Sequence, residues 1–93
     1  MNTPLWNTPI SLGAMRLRNR IVFPPMSTKF ASPGAGEVTE RMLAYYEARA
    51  RGGAGLVIVE ACCIHDAGSP TPRWLRLTDD ARIPAFAELA ERI

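Results

Sequence analysis

The chain has 93 residues, 47% hydrophobic and 22% charged, which is the range of an ordinary folded domain and not of a disordered tail. Its 11 basic and 9 acidic side chains give a formal charge of +2 with no block of like charge, so a nucleic-acid surface is unsupported. No segment is long and apolar enough to span a bilayer, the first ten residues lack the pattern of a secretory leader, and the two cysteines are adjacent and too few for a metal site; together these read as a reduced, cytoplasmic protein.

In chain order, ISL and MRL flank Gly13 and Ala14, which predicts a tight hairpin over 10–17. After Asn19, branched and aromatic side chains predict a strand over 20–23. It must stop at Pro24 and Pro25, because proline cannot donate to a ladder. Ser32, Pro33, Gly34, Ala35 and Gly36 then mark an open loop.

Thr39 is an N-cap, Glu40 suits the first turn, and Met42, Leu43, Tyr46 and Ala50 recur at helical spacing, so a helix is expected over 39–51. Arg49 and Arg51 complement its C-terminal dipole, and Gly52 and Gly53 end it. The next apolar run has no alternation and predicts a strand over 55–60, covered on both faces. Strand, helix and strand in this order form a βαβ unit with a right-handed crossover.

The stretch 61–79 is rich in Gly, Ser, Pro and Thr and longer than a plain connector, which suggests a binding loop. Asp79 or Asp80 opens a second helix over 80–93 that tolerates Pro84 in its first turn and lines up Ile83, Phe86, Leu89, Ala90 and Ile93 on one face. That pattern reaches Ile93 without a C-terminal cap. Two helices and one hairpin also cannot cover every face and edge of a parallel pair, so the expectation is an incomplete piece of a larger sheet.

Three stretches in this order, LRNRIVFPPMST, GEVTERMLAYYEARARGGAGLVIVEA and LTDDARIPAFAELAERI, resemble the N-terminal quarter of the old yellow enzyme family of FMN-dependent NAD(P)H oxidoreductases, over about Leu5 to Ile93. The resemblance implies an α/β fold: an N-terminal hairpin plus the first two βα units of a (β/α)8 TIM barrel, incomplete, with 1–93 as the N-terminal fragment of a single FMN-binding domain. It implies FMN as cofactor, NAD(P)H as reductant, and hydride transfer to an activated alkene of the enone or enoyl thioester class.

Four residues match the family's cofactor-binding positions. Pro25 and Met26 would form a flat apolar wall for the flavin ring, Ser27 would offer a hydroxyl near O4 and N5, and Ala61 would leave the ring its space. No catalytic residue and no metal ligand of this chain is implied. The family's phosphate-binding loops near strands 7 and 8 match nothing here, so this chain alone is expected to hold FMN weakly. PPMST and YYEARARGGAGL look most similar to the larger, 2,4-dienoyl-CoA reductase-like members, which add an iron–sulfur cluster and FAD on residues beyond these, and a homo-oligomer is compatible with such a full-length protein.

The same residues have plainer readings. PPMS also suits a simple strand-ending turn. Glu60 reads as a structural carboxylate, bound to backbone or an arginine, more readily than as a general base. Tyr46 shares the apolar face of its helix, so core packing outweighs a stacking platform with Tyr45. Arg49 reads as a structural pair, His65 as a surface residue, and Cys62 and Cys63 as thiols without a required redox role. Lys29 and Phe30 either face substrate or are merely solvated. The competing functional readings are an inactive truncated piece, a half-barrel needing a complementary chain, or a phosphate-binding barrel without flavin.

Overall fold

A computed structural model describes residues 2–65 and 73–93. A short 3-10 turn, Leu5–Asn7, precedes β1 (Ile10–Leu12), which pairs antiparallel with β2 (Met15–Leu17) in the register Ile10 to Leu17. Gly13 takes φ +59 at the first turn position, the left-handed backbone that a two-residue hairpin turn needs there.

The next strand, β3, is only Val22–Phe23, shorter than the 20–23 expected. Its neighbours' donors are taken elsewhere: the Arg20 amide donates to the Trp6 carbonyl at 2.8 Å and the Ile21 amide to Asn19 Oδ1 at 3.0 Å. Pro24 and Pro25 close the other end. β3 pairs in parallel with β4, Leu56–Val57, through Val22 to Leu56 and Phe23 to Val57, and the Ile58 amide adds a bond to the Phe23 carbonyl at 3.0 Å. The strand expected over 55–60 shrinks as well: the Gly55 and Leu56 amides share the Ile21 carbonyl, Pro24 and Pro25 bring no donors, and the Glu60 amide donates to the Tyr46 hydroxyl and not to a ladder.

Between them runs α1, Glu40–Arg51, with Thr39 as its cap as expected: Thr39 Oγ1 accepts from the Met42 amide at 3.2 Å. Met42, Leu43, Tyr46 and Ala50 are all buried on its inner face. Gly52 keeps a right-handed conformation and only Gly53 turns left-handed, with φ +114. The core gathers Ala31, Met42, Leu43, Tyr46, Leu75 and Leu89, with Phe23, Val57 and Val59 packed against it from the strands.

The opposite face of the β3–β4 pair is open among the described residues. Val22 is 46% and Ile58 41% exposed: within this chain the run at 55–60 is covered on one face only, as expected of an incomplete piece of a larger sheet. The pairing is still parallel and connected through a helix, but no closed barrel is formed among the described residues.

Two further corrections concern the long connections. The loop at 32–36 is closed, because the Gly36 amide donates to the Ser32 carbonyl, the Ser32 amide to the Glu37 carbonyl, and the Glu37 amide to Ser32 Oγ. Gly36, at φ +66, sits so near the Trp74 carbonyl and the Arg76 side chain that a Cβ could not fit. The expected binding loop, of which 66–72 lie outside the described residues, contains a parallel pair: β5, Cys62–Cys63, with β6, Leu75–Arg76.

The second helix is also shorter than 80–93. Asp79 caps a 3-10 turn, Asp80–Arg82, through its side chain on the Ala81 amide, and α2 proper is Ile83–Arg92. Pro84 has no amide to reach back to the Asp80 carbonyl, so the first turn adopts the tighter form, in which the Ile83 amide bonds Asp80 instead. Of the expected apolar face only Leu89 is buried, Phe86 is half-buried, and Ile83 and Ile93 are 52% and 39% exposed. No described helix is long and apolar enough to cross a membrane.

Candidate functional site

The C-terminal ends of β3 and β4 stand side by side because the pair is parallel, and the sequence-matched positions follow directly: Pro25, Met26 and Ser27 after β3, Ala61 after β4. All four are exposed, Met26 at 47%. Two prolines in succession hold φ near one value at the start of this segment, so little conformational freedom is left to lose when a flat ligand packs there. Among the described residues neither the Ser27 hydroxyl nor the Met26 and Ser27 amides have a hydrogen-bond partner.

The two segments are joined at the residue after Ser27 and the residue before Ala61. Thr28 Oγ1 donates to Glu60 Oε1 at 2.6 Å and the Thr28 amide donates to Glu60 Oε2 at 3.3 Å. Tyr46, fully buried on α1, donates its hydroxyl to the same Oε1 at 2.9 Å and accepts from the Glu60 amide at 3.0 Å. Glu60 is itself 4% exposed. The expectation of a structural carboxylate is therefore met by a backbone amide and two hydroxyls; no arginine takes part.

Burial, the largest influence, raises the Tyr46 phenol well above its ordinary range, and the Glu60 side chain adds to this while a bond from the Glu60 backbone opposes it. Tyr46 is thus a neutral donor at any physiological pH. Sequence reasoning identified Tyr46 as core but missed its polar end. The signal was available: a buried tyrosine requires a partner for its hydroxyl, and Glu60 is the acidic residue inside the apolar stretch that follows.

Beyond Thr28 the chain turns sharply. Lys29 has φ +60, in the left-handed region, and the Phe30 amide returns to Thr28 Oγ1 at 3.1 Å. Phe30 is half-buried under the Arg41 guanidinium, 3.8 Å above its ring, and packs edge-on to Tyr45 at 5.6 Å between centroids. It faces the helix and not a rim, while Lys29 remains exposed. The Phe30 carbonyl accepts from Thr39 Oγ1 at 2.6 Å, so the cap of α1 also tethers this loop. Arg49 lies 3.9 Å above the Tyr45 ring and donates to the Tyr45 carbonyl at 3.4 Å, so its structural partners are an aromatic face and a backbone oxygen.

The remaining candidates are not drawn into this place. Cys62 and Cys63 form no disulfide; the Cys62 thiol is raised first by burial and then by Cys63, with Arg82 opposing. His65 is exposed. Among the described residues no three His, Cys, Asp or Glu side chains converge as a metal site would require.

The residues present fit a flavin ring: an exposed apolar edge from Pro25 and Met26, unpartnered donors at Met26 and Ser27, and a methyl-sized side chain at Ala61, all at strand ends. The comparisons with known proteins agree with this chemistry. A family model described as NADH:flavin oxidoreductase / NADH oxidase matches residues 6–93. The chain is 45% identical over 83 residues to an NADH oxidase of Thermoanaerobacter brockii, which covers 88% of this chain and 13% of that protein. Among solved structures it superposes on the old yellow enzyme from Trypanosoma cruzi with a TM-score of 0.85 and 30% identity, over 96% of this chain and 23% of that one. A 2-naphthoyl-CoA reductase in complex with 2-naphthoyl-CoA gives a TM-score of 0.91 at 26% identity, over 96% of this chain and 14% of that one.

Proposed function

The chain belongs to the NADH:flavin oxidoreductase / NADH oxidase family, and from that premise we propose that it supplies one wall of the FMN site of a cytoplasmic NAD(P)H-dependent oxidoreductase acting on activated alkenes, enones or enoyl thioesters. The observation that carries this reading is the juxtaposition, at the C-terminal ends of two parallel strands, of Pro25, Met26 and Ser27 with Ala61, the two segments being joined through Thr28 and Glu60. Ligands of α/β barrels bind at that end of the strands.

Bound FMN would supply the hydride chemistry between a reduced nicotinamide and an electron-poor alkene. The chain's own contribution is binding and orientation. Pro25 and Met26 give the ring an apolar surface that excludes water from one side. Ser27 places a neutral donor where negative charge accumulates on reduction, which favours the reduced form. Ala61 contributes by being small: a larger side chain would occupy the cofactor's space.

The test is to purify the protein in its longest natural form and identify any bound flavin by its visible absorption and, after release, its mass. FMN that bleaches anaerobically with NADH or NADPH and is reoxidised by an enone or enoyl thioester supports the reading. A colourless protein that takes up no FMN on titration overturns it.

A further inference from the structure

We propose that Glu60 is a positioning residue of this site, which through Thr28 sets how Ser27 and Met26 are presented next to Ala61; the proposal rests on the FMN reading above. Burying a carboxylate is a costly way of joining two segments if apolar packing would serve. Among the described residues no cation offsets Glu60; its two oxygens are satisfied by the Thr28 amide, the Thr28 hydroxyl and the Tyr46 hydroxyl. What this arrangement adds to apolar packing is direction. Two acceptor atoms with three assigned donors fix the rotation of Thr28 as well as its distance from β4.

The consequence passes along the chain in both directions. Ser27 and Ala61 are each one residue, about 3.5 Å of backbone, from the clamp. Upstream, Pro24 and Pro25 hold φ fixed, so Met26 and Ser27 span the interval between a stiff start and an anchored end. Downstream, Lys29 sits in a left-handed conformation that a non-glycine residue adopts only when its surroundings demand it, held by the Phe30 amide on Thr28 Oγ1 and by Thr39 on the Phe30 carbonyl. Thr28 is thus the pivot of the loop, Glu60 holds the pivot, and Tyr46 holds Glu60 from the core.

The experiment uses the flavin-loaded protein in its longest natural form and compares Thr28→Val, Glu60→Gln and Thr28→Ser with the parent. Glu60→Gln keeps the shape but turns an amide nitrogen toward one of the donors, and Thr28→Val removes the hydroxyl. Both are expected to weaken FMN at least tenfold, to change the ratio of its oxidised to reduced affinities at least threefold, and to alter the visible flavin spectrum. Thr28→Ser should restore all three to within twofold of the parent. If the first two variants do not fold, Tyr46→Phe, which removes a single donor, is expected to move the affinity ratio in the same direction by a smaller factor. Variants that keep the parent's affinity ratio and spectrum with FMN bound overturn the positioning role while leaving the flavin reading intact. A parent protein that neither carries nor takes up FMN overturns both.

Discussion

The two ends of the β3–α1–β4 unit are both fastened by polar side chains, yet they are fastened in opposite ways. At the end where the strands begin, Asn19 is buried, donates from Nδ2 to the Gly53 carbonyl at 2.6 Å and accepts the Ile21 amide on Oδ1. Arg18 donates to the Ala50 carbonyl in the last turn of α1 and to the Ala54 carbonyl in the link to β4, and Gly55 lies so close to the Asn19 backbone that it has no room for a side chain. At that end the side chains close onto backbone and present little to a ligand. At the other end the fastening lies one layer down, in Tyr46, Glu60 and Thr28, and the rim above it leaves Met26, Ser27 and Ala61 exposed. The difference teaches that polar groups consumed by the fold serve stability, whereas a site needs its anchor beneath the rim and the rim's own groups unspent.

The strongest way to break this contrast is Glu60→Ala. It strands the Thr28 amide and the hydroxyls of Thr28 and Tyr46, and urea unfolding should show a loss of about 3 kcal/mol. A loss below 1 kcal/mol would mean that water replaces the carboxylate easily and that the upper anchor is dispensable. Asn19→Ala, at the lower end, removes one donor and one acceptor and should cost about 2 kcal/mol in the same measurement, with the upper rim unaffected. An equal loss of FMN retention from this variant would erase the distinction between the ends.

A smaller effect comes from pH. Burial keeps Tyr46 neutral in the folded chain, while the unfolded chain ionises near the ordinary phenol value of about 10. Its folded pKa is raised, so its contribution is complete below about pH 10 and is lost as the pH climbs above that value. Denaturation midpoints measured upward from pH 9 should fall less steeply in Tyr46→Phe than in the parent. Smallest of all, Ser27→Ala should leave ligand-free stability within about 0.5 kcal/mol, since its hydroxyl is exposed and supports nothing in the fold. A larger change would place Ser27 among the structural groups and not on the rim.

What could be read in advance follows from how local each signal is. Gly13 between two short apolar runs, Thr39 ahead of Met42, Leu43, Tyr46 and Ala50, and two prolines after a branched strand each act within a few residues, through backbone conformation or missing donors. The pairing of Cys62–Cys63 with Leu75–Arg76 had no such signature: each partner is two residues long, and a parallel ladder becomes visible only when its two segments are already adjacent. Asn19 looked like a spacer between two runs because its partner, Gly53, is 34 residues away. Likewise Pro25, Met26, Ser27 and Ala61 were legible through resemblance, but the clamp beneath them was not, since Thr28 and Glu60 are separated by 32 positions.

By itself, then, the sequence determined where the chain turns, where its strands must stop and which face of α1 is apolar, because those properties reside in single residues and their near neighbours. Only the tertiary structure decided that Glu60 is an acceptor for Thr28 and Tyr46, that Phe30 turns inward while Lys29 stays out, and that the strand ends form one rim. Those outcomes depend on which polar groups lose their water together, and that is settled by the packing of distant segments against each other.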